Sequence, residues 1–153
     1  MPSSSVFGLL SSFIPGLRLI DGQDLINFFN LSIGAQCSMT ALAGGGQNIA
    51  AGNSNVLNFA TNEITTVVSG NDSVILPPAL QGRQVEIINH AAANSLQYYA
   101  YPGNNPATGV ADQVYALNAT SASAASSAFT IAAGHAHYLI CMRAGFWKQV
   151  ITT

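Results

Sequence analysis

From Gln36 onward, apolar and polar side chains trade places in short runs broken by Gly, Pro, Asn and Ser clusters, the pattern of half-buried strands. RQVEIIN shows it most plainly. Gln84, Glu86 and Ile88 fall on one face and Val85, Ile87 and Asn89 on the other, because successive side chains of a strand point to opposite sides. QCSMTAL (36–42), NVLNFAT (55–61) and EITTVVSG (63–70) also read as strands, the last rich in β-branched residues and ending at the turn signal SGND. SVIL is a short strand that Pro77 and Pro78 forbid from continuing in a ladder. Beyond the small-residue segment HAAANS, LQYYAY returns the chain, which predicts a hairpin with RQVEIIN. QVYAL, FTIAAG, HAHYLICMR and AGFWKQVITT complete the series, the last two as a closing hairpin. Turn signals at intervals of roughly 8–12 residues predict an all-β domain, an antiparallel β-sandwich of which a jelly roll is one form.

Two segments break the alternation. Residues 1–20 carry Val6, Phe7, Leu9, Leu10, Phe13, Ile14 and Leu17, but Ser, Pro and Gly interrupt any helical period, so this is an extended apolar arm that must bury itself on its own core or on a neighbour. DGQDLINFFNLS (21–32) predicts a short helix. Asp21 can cap its first turn, Asp24 suits the positive helix end, Leu25, Ile26 and Phe29 form an apolar face, and Gly34 follows as a stop. Residues 21–153 therefore form a single domain preceded by the arm. Within it, PGNNPATGVAD (102–112) is a loop, and NATSASAASSA (118–128) is a low-complexity linker, either mobile or tightly packed.

Charge changes the picture. Only 7% of the residues are Asp, Glu, Lys or Arg and the formal charge is −2, against roughly 25% charged residues in an ordinary soluble domain. Ala, Ser, Thr, Asn and Gly supply a neutral polar skin instead, which suits surfaces pressed against other proteins; the chain reads as part of an assembly. Arg18, Arg83, Arg143 and Lys148 are too few and scattered for a nucleic-acid footprint. No apolar run approaches the roughly 20 residues needed to span a bilayer. The first residues lack the positive start of a signal peptide, and Ser11, Ser12 and Pro15 break their apolar run. Cys37 and Cys141 are expected as two buried free thiols.

Candidate chemistry is sparse. In GHAHYLICMR, His135, His137 and Cys141 share one face of a strand, as zinc or copper ligands would. Cys141 lies roughly 13 Å beyond His137 along such a strand, however, and a third ligand would have to come from His90 or Asp112 without any spacing to indicate it. Histidines at a surface or interface are the preferred reading, with no metal and no cofactor. The carboxylates Asp21, Asp24, Glu63, Asp72, Glu86 and Asp112 are scattered, and capping or turn roles account for Asp21, Asp24 and Asp72. No nucleophile elbow, phosphate loop or calcium loop is present. Tyr99 and Tyr101 share one side of their strand and Tyr98 takes the other; packing is the favoured role, and a stacking platform for a sugar ring is the functional alternative.

The string SVILPPALQGRQVEIINHAAANSLQYYAYP, followed by FTIAAGHAHYLICMRAGFW, resembles small β-rich virion proteins of tailed bacteriophages, and GLRLIDGQDLINF resembles the opening of such proteins. Among these, head decoration (cement) proteins fit best. The resemblance implies a small β-sandwich that sits as an oligomer on the capsid exterior, bound to the major capsid protein, and resists the pressure of packaged DNA. Residues 118–128 are longer than the corresponding turns and read as an insertion at one end of the sandwich. The expected role is adhesion without catalysis. Phe7, Leu9, Leu10, Phe13 and Ile14 form the contact element toward capsid or sister subunit, and a homotrimer matches the three-fold positions of a capsid lattice. The alternative is a tail or head-fibre component that binds a host-surface glycan through Tyr99 and Tyr101.

Overall fold

The computed structural model describes residues 34–152, with side chains described through Val150. The arm at 1–20 and the helix expected at 21–32 lie outside the described residues. Among those described there is no α-helix, only a single 3-10 turn at Ala51–Asn53 and nine strands. These are β1 (Ala35–Thr40), β2 (Thr61–Thr66), β3 (Ser73–Ile75), β4 (Gln84–Asn89), β5 (Leu96–Tyr99), β6 (Gln113–Tyr115), β7 (Phe129–Ile131), β8 (Ala136–Arg143) and β9 (Phe146–Thr152). A six-stranded sheet runs β1-β2-β4-β8-β9-β6, and a three-stranded sheet runs β3-β5-β7.

The all-β expectation holds, but the antiparallel one is corrected. Ladders β1–β2, β2–β4, β3–β5 and β6–β9 are parallel, while β4–β8, β5–β7 and β8–β9 are antiparallel. A jelly roll, built of antiparallel ladders, does not describe these sheets. The reason lies in the path. From β2 to β8 the chain changes sheet at every step, and between β1 and β2 it touches the small sheet through bridges Leu42–Ser73 and Val56–Ile75. For β1–β2, β2–β4 and β3–β5 the chain reaches its neighbour after one detour through the opposite sheet and arrives in the same direction, whereas β5 and β7, with β6 between them, meet antiparallel. The expected β4–β5 hairpin is likewise corrected: HAAANS carries the chain from one sheet to the other. The closing hairpin forms as expected, with Gly145 at φ +82° in its tight turn. It inserts between β4 and β6, so the last strands of the chain complete the middle of the large sheet.

Both sheets turn their inner faces to one core. Ile64, Val85, Ile87, Val114, Leu139, Cys141 and Trp147 from the large sheet join Val74, Leu96, Tyr98 and Ile131 from the small one. Each fully buried aliphatic side chain there stabilises the fold by about 1.5–3 kcal/mol. Trp147 is fully buried and its Nε1 donates to the Pro77 carbonyl at 3.3 Å, so the prolines that end β3 also close the core. A smaller cluster of Val56, Ile75 and Tyr99 seals the far side of the small sheet.

Asparagine does more than coat the surface. Asn55, Asn62, Asn89 and Asn105 are all buried to 1% exposure or less. Asn89 Nδ2 donates to the carbonyls of Asn94 and Ile131, each at 3.0 Å, and Asn62 Nδ2 donates to Phe59 O at 2.8 Å. Where the chain leaves a ladder to change sheets, main-chain groups lose their partners, and an amide satisfies them without the desolvation cost of a charge. The neutral skin read from composition is therefore, in part, a neutral interior. The linker 118–128 lies on the surface, with none of its residues buried, and is tied to the domain by hydrogen bonds: Ser123 N–H donates to Val114 O at 2.9 Å, and Gln47 Nε2 donates to Ala125 O at 2.7 Å.

Candidate functional surfaces

Phe7, Leu9, Leu10, Phe13 and Ile14, the expected contact element, lie outside the described residues. β5 ends at Tyr99, so Tyr101 lies beyond the strand; both pack into the small cluster on the far side, apart from Tyr98, but they are not equally presented. Tyr99 is 9% exposed, packs with Val56 and Ile75, and donates its hydroxyl to Gln97 Oε1 at 2.7 Å. Tyr101 is half-buried, and Gly103 lies so close that a Cβ there would meet the Tyr101 ring at 2.7 Å. Between them, Tyr101 offers the larger accessible ring surface.

On β8, alternation turns His137, Leu139 and Cys141 inward. Cys141 is buried and its thiol donates to Arg143 O at 3.0 Å; burial pushes the thiol up from its usual range. Cys37 is exposed, so the expectation of two buried thiols is corrected: it sits on the edge strand β1, outside the core. His137 Nδ1 lies 3.2 Å from the Tyr98 hydroxyl and 3.2 Å from Gln149 Nε2. With the amide nitrogen and the phenol both donating, Nδ1 accepts, which favours the neutral imidazole. Burial, then the nearby His135, holds His137 below its ordinary 6.5. Tyr98 is fully buried in the opposite sheet and burial pushes its phenol up, so this contact is a polar tie between the sheets. Among the described residues, no group of three His, Cys, Asp or Glu side chains is gathered to hold a metal ion.

Two side-chain clusters escaped the sequence because their members come from separate strands. The first joins β1, β2 and the end of β4. Glu63 Oε1 stands 2.5 Å from His90 Nδ1, and the carboxyl is held below its usual range chiefly by His90, against some desolvation, with help from the Ser38 N–H and the Cys37 thiol. Ser38 adopts φ +60° where β1 bulges between Gln36 and Met39, which aims that N–H at the carboxylate. The acid, not the imidazole, stands at the hub, so no imidazole bridges thiol and carboxylate as a nucleophilic triad requires. The arrangement is a solvent-facing carboxylate–imidazole contact.

The second cluster lies on the outer face of β8, β9 and β6. The Arg143 guanidinium stands 4.0 Å from the centroid of the Phe146 ring, which lies 6.0 Å from the Tyr115 ring. Lys148 Nζ is 5.8 Å from the Tyr115 centroid and donates to the carbonyls of Ala116 and Ala119 at 2.8 and 3.2 Å. Beneath it, Asp112 is fully buried. Its Oδ2 accepts from Ala79 N–H at 2.7 Å and its Oδ1 from Asn105 Nδ2 at 2.7 Å. Burial outweighs these bonds and pushes Asp112 up from its usual range.

Comparison with protein-family models, with curated proteins and with solved structures finds no match for the chain.

Proposed function

We propose that this chain is a decoration (cement) protein of a tailed-bacteriophage capsid, which binds the assembled shell from outside as a symmetric oligomer and strengthens it without catalysing a reaction. One observation carries the proposal: 153 residues hold only six acids and four Lys or Arg. Of these few charges, Asp72 and Asp112 are buried and spent on main-chain N–H groups, which leaves the accessible surface poorer still in ionised groups. Such a surface loses little on desolvation against another protein, whereas a free monomer relies on charge for solubility.

The mechanism is linkage. A protein that binds only the correctly assembled shell stabilises it by RT ln(1 + [L]/Kd), about 2.7 kcal/mol per site at a hundredfold excess over Kd. A trimer suits the three-fold positions of a capsid lattice. The two-sheet core supports the proposal as a rigid body for such contacts. The test is copy number per particle by quantitative gel: on the order of hundreds of copies agrees with decoration, while about a dozen or fewer marks a tail or portal component and refutes it.

A further inference from the structure

All the described cations and most of the exposed large apolar side chains occupy one end of the domain. β1, β2, β4, β9 and β6 run in the same direction, so their first residues meet at one end of the large sheet, together with the last residue of β8. There the loops 76–83 and 100–112 and the Ala144–Gly145 turn are tied together. Gly145 N–H and Asn105 Nδ2 both reach Ala79 O, at 2.9 and 3.0 Å, and Gly82 N–H donates to Cys141 O at 2.9 Å. On these tied segments stand Leu80 at 40% exposure and Val110 at 61%, with Met142 at 64% beside them near the end of β8; of the other exposed large apolar side chains described, Val68 is on the opposite end and Val150 is well along β9.

Arg83, Arg143 and Lys148, the cations among the described residues, flank the same loops. Two acids lie near this end: Asp112 is buried with its carboxyl pushed up by burial, and Glu86, on β4 three residues from Arg83, is half-buried and accepts from Thr61 Oγ1 at 3.1 Å; Asp72 and Glu63 lie toward the far end, so three cations face one accessible carboxylate. A chain of net charge −2 thus presents a locally positive, apolar end.

We propose that this end, here called the Gly145 end, docks onto an acidic protein surface: carboxylates facing Arg143 and its neighbours, set around aliphatic side chains that cover Leu80, Val110 and Met142. Resting on the function proposed above, that surface belongs to the shell. Charge complementarity selects the partner, and the interspersed apolar groups select protein over nucleic acid. Arg83 and Lys148 already donate to main-chain carbonyls, of Pro78 at 3.2 Å and of Ala116 at 2.8 Å, so they cannot supply the free, clustered cations a phosphate backbone requires.

The test uses the full chain and particles of the encoding phage stripped of this protein. Wild type, Arg143→Glu, the pair Val110→Ser with Met142→Ser, and Val68→Ser as a control at the opposite end are titrated back at about 50 mM salt, each checked first for an unchanged melt. Rebinding at least about tenfold weaker for the first two variants, with Val68→Ser like wild type, is the expected result. Variants that rebind like wild type, an equal loss in Val68→Ser, or tighter binding of the wild type to a short DNA duplex than to the stripped shell each overturn the docking proposal. A wild type that does not rebind at all overturns the decoration function as well, so the two failures read differently.

Discussion

Asp72→Asn tests the coiled path at the corner where β2 passes to β3. The Asp72 side chain, 1% exposed, accepts four hydrogen bonds: Oδ2 from the N–H groups of Val68 and Ser69 at 2.6 and 3.1 Å, Oδ1 from Gly44 N–H and the Ser69 hydroxyl at 3.1 and 2.7 Å. An amide has one acceptor oxygen. Its best placement keeps Val68 and Ser69 on Oδ1 and turns Nδ2 toward the Ser69 hydroxyl, which can rotate to accept. Gly44 N–H is then orphaned, at about 1–3 kcal/mol, and the remaining bonds lose their charge assistance, for an expected cost of about 2–4 kcal/mol.

Urea unfolding at pH 7, followed by fluorescence of the single, buried Trp147, measures the cost. Acid gives a second reading. Burial pushes the Asp72 carboxyl up, but the bonds from Ser69, Gly44 and Val68 together outweigh it and hold the group below 3.8. Its stabilisation is therefore present above about 3.8 and lost as pH falls through the lower folded value, and Asp72→Asn lacks that share of the acid transition. A variant within about 0.5 kcal/mol of wild type, or one with the full acid transition, refutes the assigned role of the corner.

Further predictions concern the sheet-to-sheet tie and the arm. His137 titrates below 6.5 in the folded state, so its contribution is present above 6.5 and fades as pH falls through the folded value. Tyr98→Phe, which removes a donor to Nδ1, moves the His137 titration seen by NMR upward and costs about 1 kcal/mol; an unmoved titration contradicts the hydrogen bond. Deleting residues 1–17 splits the oligomer or releases the protein from particles, measured by light scattering and gel, and unchanged mass together with unchanged occupancy removes the arm from the contact element.

Where a strand is regular and has one face toward solvent, as β4 does, the inward set is legible from the alternation; the bulged β1 and the wholly buried β3 escape it. Val85, Ile87 and Asn89 point inward and Gln84, Glu86 and Ile88 outward, as the pattern of RQVEIIN requires. Pro77 and Pro78 do end β3, and Asp72 does serve a turn. The two side-chain clusters are not legible in this way. The β8–β9 hairpin already brings Arg143 to Phe146, but Tyr115 joins them and Lys148 only because β6 pairs with β9, and Glu63, His90 and Cys37 meet only because β1, β2 and β4 lie side by side.

The period of two states which side chains face the core, because that property belongs to one strand alone. It is silent on which sheet a strand joins. That choice depends on where distant strands already lie, and ladder direction is equally outside the reach of the alternation: β2 and β4, with β3 in the other sheet between them, are parallel, while β5 and β7, with β6 between them, are antiparallel. The same turn signals serve a hairpin and a change of sheet, since both are solvent-facing reversals built from Gly, Asn and Ser. The low charge likewise came from composition alone, but only packing placed Asn55, Asn62, Asn89 and Asn105 inside, where coiling leaves main-chain groups without ladder partners and a neutral amide can complete them.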